Sequence, residues 1–263
     1  MYNKKNKSLF VSPHLDDAVL SCGGLIHKMC EAHSVVYVVS IFTGLPNPKS
    51  LSEAAIEFHR SIQLGDNAIE VRCSEDLKVS KFLKYHPIHL GLFESQYRQN
   101  EQGEHTYKSL DSIFKGQLEE EKTCILQLAP MIKDLLRSHS FDDIYVPMGV
   151  GNHIDHLIVR HVLEKVGKEG SLCDDLIYYE DMPYACYEGH VVPERHFKKK
   201  MKAYLEPLSE TNFNTKIKGI SLYKSQINML WQSQDNMVKS YIDYSHSTSE
   251  DKGKLYERYW TNS

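Results

Sequence analysis

The sequence predicts an α/β fold: a Rossmann-like, doubly wound and mostly parallel sheet with helices on both faces. Two observations lead to this prediction. Short apolar segments alternate with longer segments of helical periodicity, and clusters of His and Asp follow directly after two of the apolar segments. With 263 residues, the chain is long enough for one large domain or two small ones. We find no internal repeat or convincing linker, so we expect a single domain over residues 1–263.

The first part of the chain is predicted to alternate strands and helices. Pro13 ends the first apolar segment, and the β-branched run that follows the first helix predicts a buried parallel strand. Gly65 ends the second helical segment. The predicted elements, in order, are a strand at Leu9–Ser12, a helix over Val19–Cys30, a strand at Ser34–Phe42, a helix at Leu51–Leu64 and a strand near Ala68–Cys73.

The rest of the chain is less regular. A polar segment rich in Tyr and Gln, Phe93–Tyr107, is predicted to be an ordered loop on the substrate side of the sheet. Residues 187–215 form a charged insertion in this interpretation, with the Lys198–Lys200 run on a solvated face. The other predicted elements are a helix at Leu118–Ser138, a strand within Phe141–Met148, a helix over 153–168, a strand at Asp175–Glu180 and a terminal helix at Lys216–Met237.

Three titratable side chains follow the first predicted strand within four positions. They are His14, Asp16 and Asp17, and they stand where the strand leads into a helix. One Asp at such a place is usually a helix N-cap, because its carboxylate accepts the free amide hydrogens of the first turn. That role accounts for only one of the two carboxylates. Two adjacent carboxylates repel each other unless a proton or a cation lies between them, which favours a metal site.

A second cluster repeats this arrangement much later in the chain. Another predicted strand is followed by a glycine-rich turn and then by His153, Asp155 and His156. In a doubly wound sheet, both strand ends open on the same crevice. His14, Asp17 and His156 would give a metal two imidazoles and one carboxylate. This set leaves a position for water, as catalytic zinc sites require.

Composition narrows the classes of function. Lys and Arg number 31 against 35 Asp and Glu, so the net charge of −4 offers no basic surface for nucleic acid. The six cysteines are scattered without a CxxC pair, the polar N-terminus does not resemble a signal peptide, and no apolar run approaches the length that spans a bilayer. We therefore expect a cytoplasmic protein that acts on a small polar molecule, with no nucleic-acid partner and no membrane insertion. The sequence leaves open whether the chain forms a homo-oligomer.

The two clusters read Pro13-His14-Leu15-Asp16-Asp17 and His153-Ile154-Asp155-His156. In their order, separation and strand-end contexts, they resemble the paired motifs of the PIG-L/LmbE-like family of zinc-dependent N-acetyl-sugar deacetylases. Further segments that resemble the family cover most of the chain, namely Ser21–Gly24, His89–Arg98, Tyr179–Tyr184 and Tyr223–Gln226.

The resemblance implies a hydrolase that removes an N-acetyl group from an amino-sugar-containing small molecule of the N-acetylglucosaminyl type. Such a molecule could be an antibiotic, a secondary metabolite, a thiol precursor or a glycolipid intermediate. One Zn²⁺ per chain is implied, and the ligand types also suit Fe²⁺ or Mn²⁺. Zinc would lower the pKa of bound water to about 7, and a protonated imidazole would share the oxyanion. The implied roles are metal ligands for His14, Asp17 and His156, general base for Asp16, electrophilic or acid partner for His153 and an outer-shell acceptor for Asp155.

Two departures from the family pattern concern the substrate. Family members carry a basic residue in an Arg-x-x-Glu/Asp pattern on a helix that we assign to Leu51–Leu64, and the pattern is missing there. Glu94 stands where relatives tend to have Asp. Arg98 is predicted to hold a sugar or phosphate group, because its guanidinium is a planar donor. Glu94 and Arg98 are therefore the predicted substrate contacts.

Other classes of protein fit less well. A receiver-type signalling domain shares the paired acids, but it is shorter and has no use for His14 and His156. A two-His-one-carboxylate iron oxygenase usually has an all-β scaffold. Two alternatives stay open: an amidase for a non-acetyl amide of a glycoconjugate, and a non-catalytic metal-binding α/β domain. A purely structural zinc has four protein ligands, which would leave Asp16 and His153 without a use.

Overall fold

One seven-stranded sheet runs through the residues that the computed structural model describes, which are 6–168, 176–187 and 201–262. Its strands are β1 (Lys7–Ser12), β2 (Val35–Phe42), β3 (His86–Leu92), β4 (Asp143–Pro147), β5 (Ile177–Tyr179), β6 (Met201–Leu208) and β7 (Leu255–Asn262). Their order is β3-β2-β1-β4-β5-β7-β6. The first five strands pair in parallel, and β7 runs antiparallel to both β5 and β6. The predicted α/β class with a mostly parallel sheet is confirmed.

Helices cover both faces of the sheet. Successive side chains of β1 point to opposite faces and therefore enter two different cores. Phe10 belongs to the core that α1 and α7 cover, and Leu9 and Val11 belong to the core under α5 and α6. None of the described helices combines the length and the apolar character needed to cross a membrane. The helices are α1 (Asp17–Glu31), α2 (Glu53–Ser61), α3 (Ala68–Leu83), α4 (Leu110–Ile113), α5 (Lys122–Ser138), α6 (Ile154–Val166), α7 (Glu210–Ile220), α8 (Lys224–Trp231) and α9 (Gln234–Thr248).

The strand order places a crevice between β1 and β4. β1 pairs with β2 on one side and with β4 on the other, so the chain winds away from β1 in both directions. Ligands of doubly wound sheets bind at such a switch point, outside the carboxyl ends of the strands. α1 begins just after β1, and α6 begins just after β4. The two motifs therefore face the same crevice.

The predicted strand near Ala68–Cys73 is wrong, because these residues form the start of α3. Burial recurs at Arg72, Asp76, Val79 and Leu83, which is helical spacing. Polar residues occupy half of these buried positions, so the apolar pattern alone did not reveal the helix. The strand of this part of the chain is β3, which follows α3.

The predicted terminal helix at Lys216–Met237 is also wrong, because this stretch belongs to three helices. Gln232 adopts a φ of 65° after α8, and this left-handed residue ends the helix. Ser233 then caps α9 by accepting the N–H of Asn236 at 3.2 Å. These signals are local, and they lie within a stretch whose apolar residues are spaced as in one continuous helix.

The predicted charged insertion at 187–215 is corrected in part. Its described residues from 201 onwards include β6 and the start of α7. The Lys198–Lys200 run lies outside the described residues. β6 pairs along its whole length with β7, which was not predicted. The segment Phe93–Tyr107 is largely irregular, with a short 3₁₀ turn at Ser95–Tyr97.

Candidate metal centre

The turn after β1 is closed by its own side chains. Ser12 Oγ donates to the His14 carbonyl at 2.6 Å and accepts the N–H of Ala18 at 2.9 Å. The N–H of His14 donates to Asp17 Oδ2 at 2.7 Å. Asp16 occupies the N-cap position of α1, yet its side chain makes no capping hydrogen bond. Helix capping therefore does not explain the Asp16 carboxylate.

The turn after β4 depends on left-handed backbone conformations. Gly149, Gly151 and Asn152 have φ angles of 84°, 87° and 60°, a region that glycine enters freely and asparagine tolerates. The turn ends at His153, the N-cap of α6, whose Nδ1 accepts the N–H of Asp155 at 3.2 Å. Because Nδ1 is an acceptor, the proton of the neutral His153 ring lies on Nε2.

Three histidines meet in the crevice between these turns. One nitrogen each from His14, His153 and His156 lies within 4.8 Å of the other two, and all three residues are buried. Asp17 Oδ2 lies 3.0 Å from His14 Nδ1 and 3.3 Å from His156 Nε2. His156 Nε2 is buried, and since its contact with Asp17 lacks hydrogen-bond geometry, it has no hydrogen-bond partner among the described residues. A buried nitrogen without a partner is costly, and imidazole is a common metal ligand, so these residues fit a metal ion.

The structure therefore brings the predicted ligands together and adds a fourth side chain. The predicted set is His14, Asp17 and His156. A set of three imidazoles would use His153 in place of Asp17. Both sets share His14 and His156, so the two candidates differ in one ligand only.

Two carboxylates orient the shared histidines from behind. Asp155 Oδ2 lies 3.0 Å from His14 Nε2, and Asp181 Oδ1 lies 2.6 Å from His156 Nδ1. Each carboxylate accepts the proton of one ring nitrogen, which leaves the other nitrogen free to bind a metal. Asp181 also accepts two backbone N–H groups of the turn after β4. Asp181 was not predicted as a site residue, although a carboxylate directly after β5, at the same sheet edge, is a signal that could have found it.

The charge of Asp17 governs the protonation of the shared histidines. Burial alone would lower the pKa of His14, but the Asp17 charge and hydrogen bonds to two carboxylates hold it well above its ordinary value. Against burial, the Asp17 charge also raises the pKa of His156, to about 9. In return, the two imidazoles keep the pKa of Asp17 well below its ordinary value despite burial. A carboxylate that is ionised at this depth needs a cationic partner, and a divalent metal could replace the protons in that role.

Asp16 has a different environment. Burial and the neighbouring Asp17 charge raise its pKa to about 6, while the Arg72 guanidinium, 3.5 Å from Asp16 Oδ1, acts in the opposite direction. Arg72 is itself buried and also donates to Glu94 Oε1. Asp16 thus combines a carboxylate that does not cap the helix, a position next to Asp17 and a pKa of about 6, which is near the range that a general base needs.

An Arg-x-x-Glu sequence does occur elsewhere in the chain. The sequence analysis looked for Arg-x-x-Glu in the helix at Leu51–Leu64. The pattern occurs instead at Arg72-Cys-Ser-Glu75 in the first turns of α3, the helix that was predicted as a strand.

Arg98 and Glu94, the predicted substrate contacts, are 9% and 2% exposed. The Arg98 guanidinium donates to Asp155 Oδ1 at 2.6 Å, to Glu121 Oε1 at 2.8 Å and to the Phe93 carbonyl at 3.1 Å. These contacts place Arg98 behind Asp155 and leave it little freedom to bind a substrate. Glu94 pairs with Arg72 and is buried behind Asp16.

The surroundings of His153 do not favour the protonated ring that the sequence analysis expected. Burial and the positive charge of His14 hold the pKa of His153 well below its ordinary value. A bound metal cation would act in the same direction. These effects favour a neutral His153 imidazole, with its hydrogen on Nε2 because Nδ1 accepts the N–H of Asp155.

The chain is similar to known proteins in sequence and in fold. A family model described as "PIG-L: GlcNAc-PI de-N-acetylase" matches residues 9–166. The 2'-N-acetylparomamine deacetylase of Streptomyces fradiae is 26% identical over 233 residues, which cover 85% of this chain and 74% of that protein. A protein of the same description from Niallia circulans is 22% identical over 198 residues, covering 70% of each. The zinc-inhibited form of teicoplanin deacetylase superposes with a TM-score of 0.83 at 22% identity over 97% of both chains, which shows a shared fold.

Proposed function

The chain belongs to PIG-L, the GlcNAc-PI de-N-acetylase family, and we propose that it removes the N-acetyl group from an amino-sugar-containing small molecule. One observation carries the proposal: a buried cluster that can hold a metal lies beside a carboxylate, Asp16, that neither caps a helix nor belongs to the predicted ligand set. Related proteins named as deacetylases of N-acetylparomamine support an N-acetylated amino sugar as the substrate class.

We propose zinc as the metal, with His14, Asp17 and His156 as its ligands. The set combines two imidazoles oriented by carboxylates with one ionised carboxylate, which is typical of catalytic zinc sites. A zinc ion bound there would supply a Lewis acid that makes water nucleophilic near neutral pH. The contacts of His153 favour a role outside the ligand set, because its Nδ1 is already occupied by the N–H of Asp155.

Asp16 is the proposed general base. Its carboxylate would accept a proton from the attacking water, because a base with a pKa of about 6 is mostly ionised at neutral pH. Arg72 fixes the orientation of this carboxylate through its contact with Asp16 Oδ1. After the C–N bond breaks, the amine must gain a proton, and Asp16 would carry the proton that it took from the water.

His153 is the proposed oxyanion donor. Its neutral ring points a hydrogen from Nε2, since Nδ1 accepts the N–H of Asp155. A donor fixed by a helix N-terminus stabilises the negative charge that forms on the amide oxygen in the transition state. His153 would thus act by hydrogen bonding rather than by proton transfer.

The test is a panel of N-acetylglucosaminyl compounds incubated with the protein. Zinc is added to one equivalent, because a structural relative is described in a zinc-inhibited form. We expect acetate and free amine in equal amounts, loss of the reaction on chelation and recovery when one equivalent of zinc is restored. Full metal uptake without acetate release from any member of the panel would contradict the proposal and would favour a non-catalytic metal-binding domain or an amidase for another acyl group.

A further inference from the structure

Two aromatic rings lie beside the histidines of the metal centre, and neither has a role in the proposed reaction. The Phe114 ring centroid is 5.2 Å from that of His153, with the planes at 88°. The Tyr184 ring lies 5.7 Å from His156 and 5.8 Å from Phe114. The two rings thus form one continuous surface, here called the aromatic wall, made of Phe114 and Tyr184.

The protein fixes Phe114 in place without covering its ring. α4 ends immediately before Phe114, and it begins with a capping box between Ser109 and Ser112. Ile113 is buried in the core, and Leu110 packs against the apolar cluster that includes residues of α2. Phe114 nevertheless remains 38% exposed. An anchored but exposed aromatic ring next to a buried imidazole is typical of a surface that a ligand covers.

Tyr184 is built directly against the turn that carries His153. Gly151 in that turn has a φ of 87°, and a Cβ atom there would lie 2.6 Å from Tyr184 Cγ. Only a glycine therefore fits under the Tyr184 ring. The aromatic wall and the turn form one packed unit, so the wall has a defined position relative to His153.

The groups around the metal centre differ in polarity. Asp16, Arg72 and Glu94 form a buried charged group next to the first motif, whereas the aromatic wall provides carbon surface beside His153 and His156. An N-acyl amino sugar has the same asymmetry, since its amine part carries hydroxyl groups and its acyl part is hydrocarbon. Hydroxyl groups placed against carbon surface would lose water without gaining a partner, while a hydrocarbon chain would gain from leaving water.

We propose that the acyl group of the substrate lies against the aromatic wall and that Phe114 determines which acyl lengths are accepted. This inference rests on the proposed function, because it places the amide oxygen at His153 Nε2. The acyl carbon chain then begins next to the ring that contacts His153, which is Phe114. Because this ring is 38% exposed, it leaves carbon surface that an acyl chain longer than acetyl can cover. The substrate class therefore includes amino sugars with acyl groups longer than acetyl.

The test measures kcat/KM for N-acetyl, N-propionyl, N-butyryl and N-hexanoyl glucosamine. In the unaltered protein we expect kcat/KM to rise by about two- to fourfold for each of the first added methylenes, because each buries carbon surface on the ring. Phe114→Ala should remove this rise and change acetyl hydrolysis far less. Phe82→Ala is the matched control, since Phe82 on α3 is 40% exposed and lies outside the wall. It should keep the rise.

Binding of the same compounds to Asp16→Asn gives the comparison without turnover. We expect affinity to increase with acyl length in Asp16→Asn and not in the double variant Asp16→Asn/Phe114→Ala. Equal dependence on acyl length with and without Phe114 would overturn the inference, as would a loss in Phe114→Ala that is the same for every acyl group. The last result would place the sugar on the wall. If the proposed function is wrong, acetate release will be absent, but the dependence of binding affinity on acyl length can still be measured.

Discussion

Two regions of the molecule contribute different groups to the crevice. The N-terminal region, residues 6–168, supplies the three histidines and the two carboxylates of the first motif. The C-terminal region, residues 201–262, supplies none of these groups and instead binds the backbone on which they stand. The reacting groups thus come from the N-terminal region, which also supplies supporting groups such as Arg72 and Asp155, whereas the C-terminal region contributes support alone. Because of this difference, substitutions in the N-terminal region should test catalysis, and substitutions in the C-terminal region should test stability.

The support from the C-terminal region concentrates on α1. Tyr241 Oη donates to the Leu20 carbonyl at 2.9 Å, and Lys216 Nζ donates to the Ser21 carbonyl at 2.9 Å. Glu257 of β7 accepts the N–H groups of the next helical turn, at Gly24 and Leu25. Lys216 and Glu257 also pair with each other at 2.7 Å, and both are buried. The last strand is thereby tied to the helix that follows the first motif.

The largest expected effect is on catalysis and comes from the N-terminal region. Asp16→Asn should lower turnover by roughly 10²–10⁴-fold, the usual contribution of a general base, and leave metal content near that of the unaltered protein. Asp17→Ala should instead lose metal and turnover together. Single-turnover rates and elemental analysis of both variants provide the measurement.

The same pair of measurements distinguishes the two ligand sets. If Asp16→Asn empties the site, the roles of the two carboxylates are reversed. His153→Ala should keep its metal and lose roughly 10²–10³-fold in turnover, as expected for one oxyanion donor. Metal loss in His153→Ala with metal retained in Asp17→Ala would instead support the set of three imidazoles.

The second prediction concerns stability and the C-terminal region. Lys216→Met should lower the free energy of unfolding by about 3–5 kcal/mol, because it leaves the buried Glu257 carboxylate without its cation. Turnover per folded molecule should stay close to that of the unaltered protein. Denaturant unfolding and an active-site titration measure the two quantities. Unchanged stability would show that the Lys216–Glu257 pair does not hold β7 to α1.

The two regions also differ in how far the sequence predicts them. Both motifs of the N-terminal region follow local signals: an apolar run, a Pro or Gly at its end, then His and Asp. The contact between Glu257 and Gly24 joins residues 233 positions apart, and no local sequence pattern predicts it. β6 and β7 were missed for the same reason, since a strand is defined by its partner and these two pair only with each other and β5.

Errors within the N-terminal region have a different cause. α3 carries Arg72, Glu75 and Asp76 on its buried stripe, so its inward positions are polar and its apolar period is weak. These polar residues are buried because they have partners: Arg72 contacts Asp16, and Asp76 accepts from Tyr85 and His89. Sequence periodicity measures hydrophobicity and therefore fails where a helix supports a charged site.

The third prediction tests the segment between the two regions. Asp181 follows β5 and accepts from His156 Nδ1, so Asp181→Asn should weaken metal binding by roughly 10–100-fold, as is usual for an outer-shell partner of a metal-bound histidine. Competition with a chelating indicator measures the affinity. Glu180→Gln is the matched control, because Glu180 contacts Arg258 and Trp260 rather than a histidine. Equal metal affinity in both variants would remove Asp181 from the centre.

The smallest expected effects come from two tyrosines of the C-terminal region. They test whether this region affects stability alone or also catalysis. Tyr241→Phe removes the hydrogen bond to the Leu20 carbonyl, and Tyr223→Phe removes a hydroxyl that lies 2.9 Å from Asp76 Oδ1 and 3.1 Å from the carbonyl of Leu15, the residue before Asp16. Each should cost about 0.5–1.5 kcal/mol of unfolding free energy. We expect turnover to be nearly unchanged in both, because Ser12 and Asp17 also close the turn. A loss of about tenfold or more in Tyr223→Phe alone, equivalent to about 1.4 kcal/mol in the barrier, would show that the C-terminal region also positions the general base.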